Sequence, residues 1–192
     1  MYSGCTALTT TGIIDVIETL GNNGCQDMYK GCTNLATALS ITAATCGNSG
    51  CQSMYMNCGK LQSSGEINFN IVNTNACKYM FRGCSSLQHI PNMKINYCGG
   101  MNEDNRNGDY CFHGMFMDCT GLETLYDVVP MLKIITPYAC FQMFKNCKNL
   151  KLGTHNIIPG GYKHEDFTRI SFGSYTNNEG ESKEVYSSDT YV

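Results

Sequence analysis

Large apolar side chains recur along this chain at i, i+3, i+4, i+7 and i+10, the stripe of one helical face. Four copies are close matches: Cys25-Gln-Asp-Met28-Tyr29-Lys-Gly31-Cys32-Thr-Asn-Leu35, Cys51-Gln-Ser-Met54-Tyr55-Met-Asn57-Cys58-Gly-Lys-Leu61, Cys77-Lys-Tyr-Met80-Phe81-Arg-Gly83-Cys84-Ser-Ser-Leu87 and Cys140-Phe-Gln-Met143-Phe144-Lys-Asn146-Cys147-Lys-Asn-Leu150. A looser copy ends Met115-Phe116-Met-Asp118-Cys119-Thr-Gly-Leu122, and the chain opens inside another, Met1-Tyr2-Ser-Gly4-Cys5-Thr-Ala-Leu8. The repeated Met stands at 1, 28, 54, 80, 115 and 143, in steps of 27, 26, 26, 35 and 28 residues. A period of this length is the signature of a solenoid.

The residue at i+6 is Gly4, Gly31, Asn57, Gly83, Asp118 or Asn146. These types tolerate the left-handed backbone that follows a helix end. The pattern predicts a helix of about two turns stopped at i+6. After each Leu the chain turns extended: in Glu66-Ile-Asn-Phe-Asn-Ile-Val72, Ile67, Phe69 and Ile71 alternate with Asn68 and Asn70, the period of a half-buried strand. The expectation is an α/β solenoid, leucine-rich-repeat-like, with one short helix and a strand per repeat. Helices pack ~8–10 Å apart and strands ~4.8 Å apart, so the stack should curve with its strands on the inner face.

Residues 1–159 read as that solenoid, of five to six copies, and residues 160–192 as a degenerate capping segment and polar tail. Tyr162–Phe172 suggests a final strand pair, since open solenoid ends need a cap. The long step from Met80 to Met115 carries an extra loop with a hairpin signal, Asn107-Gly108. Phe112 takes the usual Cys position there, with Cys111 displaced by one place.

The 192 residues carry a net charge of −3, and no basic cluster suggests a nucleic-acid footprint. No apolar run is long enough to insert in a membrane, and no secretion signal opens the chain. The Met1-Tyr2 pair lacks the first residues of its repeat, so the chain is either complete with its initiator serving as the repeat Met, or a fragment of a longer array. The 13 cysteines are an odd number. Within one helical copy, positions i and i+7 would lie ~10 Å apart, too far for a bond. They read as buried free thiols in two columns: Cys25, Cys51, Cys77 and Cys140, and Cys5, Cys32, Cys58, Cys84, Cys119 and Cys147. Met28, Met54, Met80, Met115 and Met143 form the core column between them. Cys46, Cys98 and Cys111 fall outside both.

The unit, read on Ala139-Cys140-Phe-Gln-Met143-Phe144-Lys-Asn146-Cys147-Lys-Asn-Leu150, resembles the BspA-like leucine-rich repeat proteins, in particular the cysteine-bearing arrays of gut bacteria and their phages. The resemblance spans residues 1–159. It departs in the step lengths, at Cys111, in the extra loop and in having few prolines. It implies a non-enzymatic role in adhesion or attachment, extracellular or at a cell surface, and brings no catalytic residues with it. The alternative is a phage virion component, structural or for tail attachment.

Candidate chemistry is sparse. A catalytic thiol needs a base or positive field beside it, and His89, His113, His155 and His164 do not recur with the repeat. Structural zinc wants Cys pairs spaced by two to four residues, whereas the dominant spacing is Cys-x6-Cys; Cys46-x4-Cys51 stands alone. Glu103, Asn105, Asn107, Gly108 and Asp109 mimic positions 1, 3, 5, 6 and 7 of a calcium loop, but Gly114 stands where the bidentate Glu belongs. The remaining Met residues, Met56 and Met117 among them, read as core or edge packing. The sequence therefore implies no metal or cofactor and no enzyme. It implies a scaffold for protein or glycan binding, or for self-association. Curved solenoids bind on the concave strand face, which nominates Asn68, Asn70, His89, Lys94, Asn96 and Tyr126.

Overall fold

The computed structural model of the chain describes residues 1–98, 110–123, 142–149, 171–176 and 182–186. Strands β1 (Ile14–Leu20), β3 (Ile41–Cys46), β5 (Ile67–Val72) and β6 (Met93–Cys98) form a parallel sheet in that order. Their register follows the sequence period: Ile14 faces Ile41, Ile41 faces Ile67, and Ile67 faces Met93. Two-residue strands β2 (Thr37–Ala38) and β4 (Ser63–Ser64) pair in parallel beside it. Each repeat is thus one rung of a β-solenoid.

The expected helices are not there; the described residues contain none. Each i to i+7 segment is instead a run of four-residue turns laid across the next rung. Alternate N–H groups donate three residues back, as Gln26 to Asn23, Met28 to Cys25 and Lys30 to Asp27. The intervening ones donate to the following rung, as Cys25 to Gly50, Asp27 to Gln52 and Tyr29 to Met54. Every fourth residue is left-handed: Asn23, Asp27 and Gly31 at φ 57°, 53° and 72°, then Ser49, Ser53 and Asn57, then Asn75, Tyr79 and Gly83. A helix would spend all these donors within itself. The turns share them between rungs, so both sides of the solenoid stack at strand spacing. The mismatch that was to curve the stack does not arise. The leucine-rich-repeat-like α/β arrangement with an inner strand face is replaced by a solenoid whose interior is its core.

The core is built of columns. Tyr2, Tyr29, Tyr55, Phe81, Phe116 and Phe144 stack ring on ring, with centroids 5.3–5.7 Å apart, each pair contributing about 0.5–1.5 kcal/mol beyond its burial. The N–H of each of the first five donates to the carbonyl of Met28, Met54, Met80, Met115 or Met143 on the next rung. Met54, Met80, Met115 and Met143 are fully buried; Met28 is half-buried against the core. Cys25, Cys51 and Cys77 line one side, and Phe112, fully buried, follows them. Cys140 lies outside the described residues.

The second thiol column has a polar function. Cys32, Cys58, Cys84, Cys119 and Cys147 each donate to the carbonyl of an aromatic-column residue one rung earlier, at 2.9–3.1 Å. Cysteine suits this place because it is a small hydrophobe with one weak donor. The extra length before Met115 leaves the stack in register: Cys77 N–H bonds Cys111 O at 2.8 Å and Tyr79 N–H bonds His113 O at 2.9 Å. Further along the chain, β7 (Ser171–Thr176) and β8 (Ser182–Tyr186) form an antiparallel pair within the segment read as cap and tail.

Candidate functional site

At the start of β3, β5 and β6 alternate side chains enter the core and the others face out; after Ala43 and Phe69 the alternation slips by one place, so that Cys46 and Val72 are buried. Ile41 and Ala43, Ile67 and Phe69, and Met93 and Ile95 are buried. Thr42, Asn68 and Lys94 stand in register on the outward face. One step along, Asn96 Nδ2 donates to Asn70 Oδ1 at 2.9 Å. Lys94 Nζ meets Glu66 Oε1 at 2.7 Å, a solvated pair worth about 0–1 kcal/mol. The nominated residues Asn68, Asn70, Lys94 and Asn96 therefore share one face. It is the outside of the solenoid and not a concave inner surface. His89 is exposed on a bend before β6 and does not join them. Tyr126 lies outside the described residues.

A second cluster lies on the turn face, at the foot of the long step. Tyr79 hydroxyl and His113 Nε2 are hydrogen-bonded at 2.8 Å, and the two rings meet edge to face with centroids 5.0 Å apart. The Tyr110 ring lies 5.5 Å from that of His113. Lys78 Nζ sits over Tyr79 and Tyr110 at 5.4 and 5.8 Å from their centroids, and the Arg82 guanidinium over Tyr79 at 5.2 Å. Arg82 Nε also pairs with Asp118 at 3.2 Å, and Asp118 accepts from Asn146 at 2.8 Å. Burial, reinforced by the charges of Lys78 and Arg82, lowers the His113 pKa to about 4, so the imidazole is neutral at physiological pH.

Sequence reasoning missed this cluster because His113 was weighed only as a partner for a cysteine. The available signal was positional. Asp27 and Ser53 occupy the middle left-handed position of their rungs, and Tyr79 occupies it here. A bulky residue at positive φ is a backbone outlier. The next rung has Gly114 there, at φ 55°; a Cβ on it would stand 2.5 Å from Tyr79 Cε1. The glycine makes room for the ring.

Among the described residues eleven cysteines are outside any disulfide, ten of them buried, while Cys5 is exposed. Burial pushes Cys25 up to about 11 and Cys58 and Cys147 up to about 12. It also raises Cys32, Cys84 and Cys119. Cys46 and Cys51 touch at 3.8 Å between sulfurs; the bond to Cys46 and then burial hold the Cys51 thiol well up. Raised thiols make poor nucleophiles. Among the described residues no group of three or more His, Cys, Asp or Glu is placed to hold a metal ion, and no helix is long and apolar enough to cross a membrane. The calcium-like stretch from Glu103 to Asp109 lies outside the described residues.

Comparison of the chain with protein-family models, with curated proteins and with solved structures finds no match.

Proposed function

We propose that this chain is a non-enzymatic repeat scaffold that binds protein or glycan at a surface, through the outward face of β1, β3, β5 and β6. One observation carries the reading: Thr42, Asn68 and Lys94, with the Asn70–Asn96 pair beside them, form a fixed polar array on a rigid sheet. Its amides offer donors and acceptors together, and the strands beneath hold them at regular spacing. The raised thiols favour packing over catalysis, and the resemblance to BspA-like arrays favours attachment outside or at the surface of a cell. The test is a glycan array probed with the chain and with a variant carrying Asn70→Ala, Lys94→Ala and Asn96→Ala. The reading expects a bound class whose signal drops at least ten-fold in the variant. An unchanged signal would place binding elsewhere.

A further inference from the structure

We propose that Lys78, Tyr79, Arg82, Tyr110 and His113 form a second binding site, on the turn face, whose ligand is an acidic sugar: a pyranose bearing a carboxylate or a sulfate. This rests on the reading of the chain as a binder of glycans and names the ligand class for a separate face.

Three observations converge. The first is the backbone. Tyr79 holds a left-handed conformation at φ 56°, a strain that bulky residues seldom carry and that gathers at binding sites. Asp27 and Ser53 show that this position needs no aromatic group for the fold.

The second is charge. The Lys78 ammonium rests on two rings, and among the described residues no carboxylate lies within ion-pair distance of it. Asp118 takes Arg82 Nε, and the guanidinium fork has further donors. Among the described residues one positive charge is thus without a carboxylate partner, beside a neutral imidazole and two phenols. An oxyanion is the complement of such a group.

The third is shape. Tyr79 is laid against the turn by the space over Gly114, and Tyr110 flanks it across His113. Half-buried tyrosines offer ring surface to the C–H face of a sugar. The cluster also stands where the chain returns from its one long insertion, and in solenoids insertions often mark the binding face.

The test is calorimetric titration of the whole chain with three probes: a sulfated glucosamine–uronate tetrasaccharide, a hyaluronan tetrasaccharide carrying carboxylates alone, and uncharged chitotetraose. The expected result is binding of one or both charged probes and not of chitotetraose, weakened as salt rises. Lys78→Glu should cut affinity at least ten-fold with an unchanged thermal midpoint, and Arg82→Lys should retain most of it. The His113 ring signal should titrate at higher pH in the bound state, because an anion offsets Lys78 and Arg82. Binding that survives Lys78→Glu but is lost in the Asn70, Lys94 and Asn96 variant overturns this site and leaves the scaffold reading standing. Equal binding of all three probes, or no binding by any at millimolar concentration, overturns it as well; in the second case a protein partner for the sheet face is untouched.

Discussion

The Cys84 thiol donates to the main-chain carbonyl of Tyr55, one rung earlier, at 3.1 Å. Both residues are fully buried, and the carbonyl also accepts from the Cys58 N–H at 3.1 Å, so the thiol is its second donor. Cys84→Ala removes one of the two donors and leaves a small void; the lost hydrogen bond should cost about 0.5–1.5 kcal/mol. Cys84→Ser restores a donor and should fall between the two. Urea unfolding of the three proteins checks the order. A serine variant weaker than the alanine variant would mean that the thiol acts only as an apolar filler.

The period, the columns and the alternation that opens β5 were readable from the residues, because a repeat displays its register directly; Ile71, expected inward with Ile67 and Phe69, is only part-buried, and Val72 takes the core position instead. The turn structure was not. Successive four-residue turns place apolar side chains at i, i+3, i+4 and i+7 much as a helix does, and the stripe cannot separate the two. The discriminating feature was a second set of turn-tolerant residues four places earlier, Asp27 and Ser53 before Gly31 and Asn57. A helix interior has no place for left-handed residues. The sheet-face residues Asn68, Asn70, Lys94 and Asn96 were found by alternation alone. The Tyr79 and His113 cluster depends on contacts between rungs 34 residues apart, which no local pattern reveals.

Tyr79 and Gly114 should be energetically coupled. In Gly114→Ala the new Cβ meets the Tyr79 ring at 2.5 Å and also sits at φ 55°, so a loss of about 1–3 kcal/mol is expected. In a Tyr79→Ser background the ring is gone, and the side chain matches Ser53 one rung earlier. The same Gly114→Ala change should then cost only the backbone part, about 1 kcal/mol. A double-mutant cycle measured by denaturation should give a coupling of about 1 kcal/mol. Strict additivity would show that the ring and the glycine do not meet.

His113 makes the fold sensitive to acid. Its folded pKa is depressed to about 4, against ~6.5 in an unfolded chain. Below about 6.5 the unfolded chain takes up a proton that the folded one refuses, so stability falls as pH drops toward 4. The charges facing the ring are Lys78 and Arg82, with Asp118 held behind Arg82. The urea midpoint should decline between pH 6.5 and 4, and the His113 ring signal should move only near the lower limit. A ring titrating near 6.5 in the folded protein would contradict the burial described.

The thiols act at the opposite end of the pH scale. Cys58 and Cys147 stand at about 12 when folded, and Cys25 at about 11, whereas an unfolded thiol ionises near ~8.5. Between those limits the unfolded chain loses protons that the folded chain retains. The stabilisation is complete below the unfolded value and is lost as pH climbs through the folded one. With reductant present, the urea midpoint should therefore fall steadily above pH 9, and the fall should be shallower in Cys58→Ala. The same burial should govern labelling. Iodoacetamide at pH 8 should modify the exposed Cys5 first, with Cys51, Cys58, Cys84 and Cys119 protected until the chain unfolds. Peptide mapping by mass spectrometry reads this directly. Labelling of Cys84 or Cys58 at the rate of Cys5 in the folded protein would show that the columns are not closed.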